Sequence, residues 1–194
     1  MQGIRTSAEE GINSFIKDQK KQPGEAILSL VQFDTEFDFV HKGTPINQVG
    51  HYHLEPRGST ALLDAMGQAI LNTGERLAAM PESSRPGLVI FVIMTDGEEN
   101  SSTQFSREQI RQMVEHQQTV YNWQFTYLGA NQDAFAEAAK LGICDDHGTA
   151  NFTADKVHFA YDSTSSKVKR MRNQRRRGET VSNAFMDEET DAMR

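Results

Sequence analysis

An aspartate at the end of an apolar run and two hydroxyl side chains before an amphipathic segment are the residues best suited to bind a ligand. Asp96 directly follows the run Leu88 to Thr95, and Ser59 and Thr60 directly follow Gly58. Carboxylate and hydroxyl oxygens are ligands that a hard divalent cation such as Mg²⁺ or Mn²⁺ prefers. Taken singly, Asp96 is explained as a turn residue and Thr60 as a helix N-cap. Taken together, they predict a metal site with Thr60 and Asp96 as ligands.

Four neighbouring residues are candidates for the surroundings of this site. Asp64 belongs to the first turn of the segment after Thr60, where it can favour the helix N-terminus electrostatically or hold a water molecule near the cation. Glu98 can form the rim of the site, although a solvated loop acid is the default interpretation. The candidates for the surroundings are Ser59, Asp64, Gly97 and Glu98.

The elements that must position these residues alternate between strands and helices. Short apolar runs predict strands, and apolar residues at three- and four-residue spacing predict amphipathic helices. The predicted strands are Ala26–Phe33, its hairpin partner Phe37–His41, Leu88–Thr95, Trp123–Gly129 and a short edge strand at Thr149–Thr153. The predicted helices begin near residues 4, 62, 107, 133 and 155, and Ser106 with Gln109 forms a capping box before the third. Ser59 or Thr60 is expected to cap the second.

This alternation predicts an α/β protein with a doubly wound, mostly parallel sheet that is flanked by helices. In such sheets ligands bind outside the carboxyl ends of the strands, which is where Asp96 is expected.

Two segments resemble a known family. "PRGSTALLDAM" (Pro56 to Met66) and "VIFVIMTDGEEN" (Val89 to Asn100) look like the second and third loops of a von Willebrand factor A domain, and they occur in the same order. In that family a Thr of the second loop and an Asp of the third bind a cation at the metal ion-dependent adhesion site. They match Thr60 and Asp96.

The resemblance extends over about residues 1–177 and is to the standalone bacterial and phage members in particular. It implies a Rossmann-like fold and a protein-binding module, in which a carboxylate of a partner protein completes the coordination of Mg²⁺ or Mn²⁺. Residues 178–194 are expected to form a flexible acidic tail.

The family's first strand, with the D-x-S-x-S loop that supplies most metal ligands, has no counterpart here. "MQGIRTSAEEGINSFI" resembles the segment immediately after that motif, so the resemblance implies a central strand missing from the sheet. With two ligands where a cation needs about six, binding is expected to be weak or absent. The gap can be closed by direct pairing of its neighbours or by a strand-donating partner. We expect a missed upstream start or a fragment rather than a variant that evolved without this strand.

Composition argues against several classes of function and location. A net charge of −7 over 194 residues argues against a nucleic-acid-binding surface, and the basic stretch 167–179 is interpreted as a solvated helix end. No signal-peptide core or membrane-spanning run is present, which predicts a cytoplasmic protein without a membrane partner. The single cysteine, Cys144, has no cluster of ligands or catalytic partners near it in the sequence.

Catalysis has weaker support. Ser59 and Thr60 at a helix N-terminus could hold a phosphate while Asp96 binds Mg²⁺, but no phosphate-binding lysine or glycine-rich loop accompanies them. We therefore expect a binding module and not an enzyme; a metal-free scaffold within an assembly is the third alternative. His51 and His53 share a side if extended, yet without a third ligand in sight they do not predict zinc.

Overall fold

The computed structural model describes residues 5–55, 58–130, 133–143 and 148–194. Cys144 lies outside them. Within these ranges strands and helices alternate as predicted, which confirms the α/β class. The elements in chain order are α1 (Arg5–Lys20), β1 (Ile27–Phe33), β2 (Phe37–Pro45), α2 (Leu62–Ala78), β3 (Ile90–Thr95), α3 (Arg107–Tyr121), β4 (Gln124–Ala130), α4 (Ala134–Lys140), β5 (Thr149–Phe152), α5 (Val157–Arg176) and α6 (Asp187–Met193).

The strands form two separate sheets. β1 and β2 pair antiparallel as the predicted hairpin, with Phe33 opposite Phe37 beside the turn. β3, β4 and β5 form a parallel sheet in that order, so β5 is an edge strand as predicted. In the described part of the chain no hydrogen-bonded ladder joins β1 to β3. Direct pairing across the gap, one of the two expected ways to close it, is not what the chain does.

Two hydrophobic cores lie on opposite faces of the parallel sheet. Along β4, Phe125 and Tyr127 point into the first core, and Leu128 and Ala130 point into the second. Because side chains alternate along a strand, this division places α2, α3 and α4 over one face and α1, α5 and α6 over the other. The sheet is thus covered on both sides at β4, which is buried along nearly its whole length.

The segment 178–194 ends in a helix that packs on the domain, where a flexible tail was expected. Phe185 and Met193 are buried in the second core, and α6 packs against α5. The two terminal nitrogens of Arg170, Nη1 and Nη2, donate to Oε1 and Oε2 of Glu189 at 2.8 and 3.0 Å. Acidic composition alone did not reveal this packing, because the partner of Glu189 lies on α5, well before the acidic segment.

The basic stretch is a solvated helix end only in part, since residues 175–179 are exposed but earlier cations of the stretch are not. Lys167 is fully buried, donates to Thr126 Oγ1 at 2.8 Å and lies 4.0 Å from the centre of the Phe185 ring. Arg172 donates to the backbone carbonyl of Gln19 at 2.9 Å. Lys167 and Arg172 thus connect α5 to its neighbours, whereas Lys169 and the arginines at 175–177 are exposed. Across the described ranges, no helix is both long and apolar enough to cross a membrane.

Arg170→Ala should loosen the C-terminal helix. Removing the paired guanidinium deprives Glu189 of its cationic partner, and charge-assisted hydrogen bonds of this kind contribute about 1.5–3 kcal/mol. We expect amide hydrogens of residues 187–193 to exchange roughly tenfold faster by mass spectrometry. Arg177→Ala is the matched control, because Arg177 lies 3.9 Å from Glu179 and both side chains are exposed. Equal exchange in the two variants would contradict the role of Arg170.

Candidate functional site

Thr60 and the loop after β3 are held together at the carboxyl end of the parallel sheet. Asp96 directly follows β3, and Thr60 lies just before α2. The Thr60 N–H donates to Asn100 Oδ1 at 2.9 Å, and the Asn100 N–H donates to the Thr60 carbonyl at 3.0 Å. This reciprocal pair fixes the backbone of Thr60 relative to the loop that begins at Asp96.

The Thr60 hydroxyl lies close to Gly97, the residue that directly follows Asp96. A Cβ atom at Gly97 would lie 2.8 Å from Thr60 Oγ1, which is closer than such atoms approach in proteins. The Thr95 hydroxyl donates to the Gly97 carbonyl at 2.9 Å and so fixes the turn. Gly97 therefore permits the close approach of the two predicted ligand segments.

Glu99 caps α2, and the expectation that Ser59 or Thr60 would do so is wrong. The N-cap of α2 is Ala61, which has no side-chain acceptor. Glu99 Oε2 accepts from the Leu63 N–H at 2.9 Å, and Oε1 accepts from the amides of Ser101 and Ser102. A loop carboxylate thus satisfies a first-turn amide that local sequence leaves open.

Asp64 holds the same loop from the side of the helix. Its side chain is buried and accepts three backbone N–H groups at 2.9 Å each, those of Thr103, Gln104 and Phe105. Its own N–H donates to the Ser102 hydroxyl. Asp64 lies in the first turn of α2, as expected, and its carboxylate in addition anchors the loop after β3.

The other predicted neighbours of the site lie at its surface. Ser59 and Glu98 are both exposed. Pro56 and Arg57, which begin the segment that resembles the family's second loop, lie outside the described residues.

Asp34 is an acidic strand-end residue that sequence reasoning overlooked. It follows β1 directly, it is buried, and its carbonyl accepts the N–H of Ala61. Its Oδ1 accepts the Glu36 N–H at 3.0 Å, which stabilises the β1–β2 turn. The signal was present, because "LVQFD" delivers an aspartate from an apolar run just as "VIMTD" does. Since Asp34 and the loop after β3 both contact Thr60–Ala61, the carboxyl ends of β1 and β3 lie at the same end of the molecule.

The first turn of α2 offers little room for a phosphate. The Leu63 N–H is bound to Glu99 and the Asp64 N–H to Ser102. A phosphate would have to displace a carboxylate and would be repelled by it. The geometry therefore favours a cation over an anion at this end of the sheet.

No protein-family model matches the chain, and no curated protein matches it either. The functional assignment must therefore come from the site itself.

Glu99→Gln should destabilise the protein in a pH-dependent way. Partial burial alone would raise the pKa of Glu99, but the amides of Ser102 and Leu63 outweigh it and hold the pKa below the usual 4.5. The stabilisation is therefore present above pH 4.5 and is lost as the pH falls through the lowered value. At pH 7 we expect a loss of about 1 kcal/mol in the free energy of unfolding, since the side chain is only half-buried.

Urea unfolding of the wild type and Glu99→Gln, measured at pH 7 and again below pH 4.5, tests this. The difference between them should shrink on acidification. Glu98→Gln is the control, because the exposed Glu98 side chain should change stability little at either pH. A Glu99→Gln difference that is the same at both pH values would contradict the capping role.

Proposed function

We propose that the chain is a protein-binding module of the von Willebrand factor A type with an incomplete metal ion-dependent adhesion site. Thr60 and Asp96 hold Mg²⁺ or Mn²⁺ weakly, and a carboxylate from a partner protein completes the coordination. The Rossmann-like arrangement of that family is part of the proposal. A parallel sheet with helices on both faces and the polar residues at its carboxyl end supports it.

One observation carries this proposal. The Thr60 hydroxyl lies against Gly97, beside Asp96, and the two segments are locked by the Thr60–Asn100 hydrogen bonds. Hydroxyl and carboxylate oxygens are both ligands that Mg²⁺ uses. Water supplies the remaining positions, so the expected affinity is low.

A second candidate function is a metal-free scaffold whose sheet is completed by a strand from another chain, which can be a second copy of this one. β3 is less buried than β4, and Val92 is 37% exposed on it. β1 is only partly buried along its length. Phe33 and Phe91 contact the first core, and Leu30 and Met94 contact the second, so β1 and β3 lie between the same two layers. Backbone groups along these edges fit an added strand that is apolar on both faces.

Asp96→Asn should abolish specific Mn²⁺ binding. For the wild type we expect a dissociation constant on the order of 10⁻³ M or weaker, because water must supply most ligands. Binding is measured by the loss of the free Mn²⁺ signal in electron paramagnetic resonance, with Mg²⁺ as competitor. Glu36→Gln is the control, since Glu36 is an exposed acid beside the end of β1. Unchanged Mn²⁺ binding in Asp96→Asn would overturn the assignment.

Val92→Lys should reduce association through the open edge of β3. A lysine on an exposed edge strand opposes pairing with another strand. By sedimentation velocity over increasing concentration, we expect the wild type to self-associate and Val92→Lys to remain more monomeric. Val120→Lys is the control, because Val120 is 56% exposed on α3 and belongs to neither edge. A wild type that stays monomeric and unfolds cooperatively would argue against strand donation.

A further inference from the structure

His51 and His53 present their imidazole rings on the same side of an extended segment. Tyr52 between them is buried, while both histidines are exposed. The two rings meet edge to face with their centres 4.7 Å apart. The His51–His53 pair therefore offers two nitrogen ligands to one ion. A specific metal site requires at least a third ligand from the protein.

Glu9 of α1 provides that third ligand. Its Oε1 lies 3.4 Å from His53 Nδ1. One ligand atom from each of Glu9, His51 and His53 can be chosen so that all three lie within 4.8 Å of one another. Two ligands of a tetrahedral zinc site are separated by about 3.4 Å, given bonds of about 2.0–2.1 Å. The Glu9–His53 pair already has this separation. Rotation of the exposed His51 side chain can bring its ligand nitrogen to the same distance from the other two ligand atoms.

The backbone that carries the histidines is fixed to α1 by polar contacts. Asn13 Nδ2 donates to the Tyr52 carbonyl at 2.8 Å, and Asn13 Oδ1 accepts the Tyr52 N–H at 2.9 Å. Glu9 Oε2 accepts the Leu54 N–H at 2.8 Å. One carboxylate oxygen of Glu9 is thereby held by the backbone, and the other is turned toward His53. Orientation of a ligand by a hydrogen bond to its other end is typical of metal sites in proteins.

The surroundings add negative charge and open space. A groove beside the histidines is lined by Asp38 and Glu55, together with Gln32 and Val40. The two acids favour a cation in this groove. The His53 side chain is 72% exposed, so an ion and a fourth ligand can reach the cluster from solvent.

We propose that Glu9, His51 and His53 form a binding site for Zn²⁺ or a similar transition metal ion, with a fourth position open to water or to an external ligand. Two imidazoles and one carboxylate suit Zn²⁺, Co²⁺ or Ni²⁺ and not Mg²⁺, which takes oxygen ligands. An ion here joins α1 to the segment before α2, so binding stabilises the folded chain. This site is independent of Thr60 and Asp96.

Titration of the full chain with Co²⁺ and Zn²⁺ tests the proposal. We expect one Co²⁺ per chain, with the intense visible absorption of a four-coordinate ion, and its displacement by Zn²⁺. His53→Ala and Glu9→Gln should each weaken Zn²⁺ binding by roughly a hundredfold in calorimetry. Glu9→Gln retains a side-chain oxygen that can accept the Leu54 N–H, so we expect this variant to fold. It therefore still tests the proposal if His53→Ala is unstable.

Two controls distinguish this site from metal binding elsewhere on the chain. His158→Ala removes a histidine that lies 3.1 Å from Asp162 on α5 without a second imidazole, and it should leave Zn²⁺ binding unchanged. Asp96→Asn should also leave it unchanged, which distinguishes this site from the proposed adhesion site. The proposal is overturned if the chain binds no Co²⁺ in a four-coordinate form. It is also overturned if His53→Ala and Glu9→Gln bind Zn²⁺ as tightly as the wild type.

Discussion

Two carboxylates, Asp64 and Glu99, hold the loop after β3 against the first turn of α2, and the geometry of the candidate adhesion site depends on them. Glu99 is on the loop and accepts an amide of the helix; Asp64 is on the helix and accepts three amides of the loop. Each carboxylate satisfies backbone donors of the other segment, which would otherwise lack partners. Thr60 and Asp96 flank this junction, so their relative position depends on it.

Within the described residues β1 and β3 each pair with one strand, and this explains an imbalance in the packing. A parallel strand covered on both faces and paired on both sides is normally buried, as β4 is. β3 has a paired strand on one side alone within the described chain, and Val92 is 37% exposed. The hairpin is instead held to the rest of the fold by α2 and by the Asp34–Ala61 hydrogen bond. The fold is thus kept together across the gap by its helices and polar contacts.

Local patterns were predictable from the sequence, and long-range polar partners were not. Ser106 and Gln109 of the predicted capping box are three positions apart, and the structure confirms the box. The cap of α2 comes from Glu99, 36 residues beyond Leu63, and no periodicity reveals such a partner. The acidic composition of the C-terminal segment predicted disorder, because composition does not reveal that Glu189 contacts Arg170 of α5. Asp96 was singled out because it follows a predicted strand; Asp34 also follows a predicted strand and was overlooked.

The segment between β2 and α2 connects both candidate metal sites, although its composition is typical of a loop. Near its start, Lys20 donates to the Val49 carbonyl at 2.6 Å. The Asn13 side chain hydrogen-bonds to both the N–H and the carbonyl of Tyr52. At its end, Thr60 and Ala61 bond to the loops after β3 and β1. The described residues of this segment, 46–55 and 58–61, are held in part by hydrogen bonds of their backbone, and many of their side chains face solvent. That division explains how one stretch can present imidazoles at one end and a hydroxyl at the other, suited to different classes of metal ion.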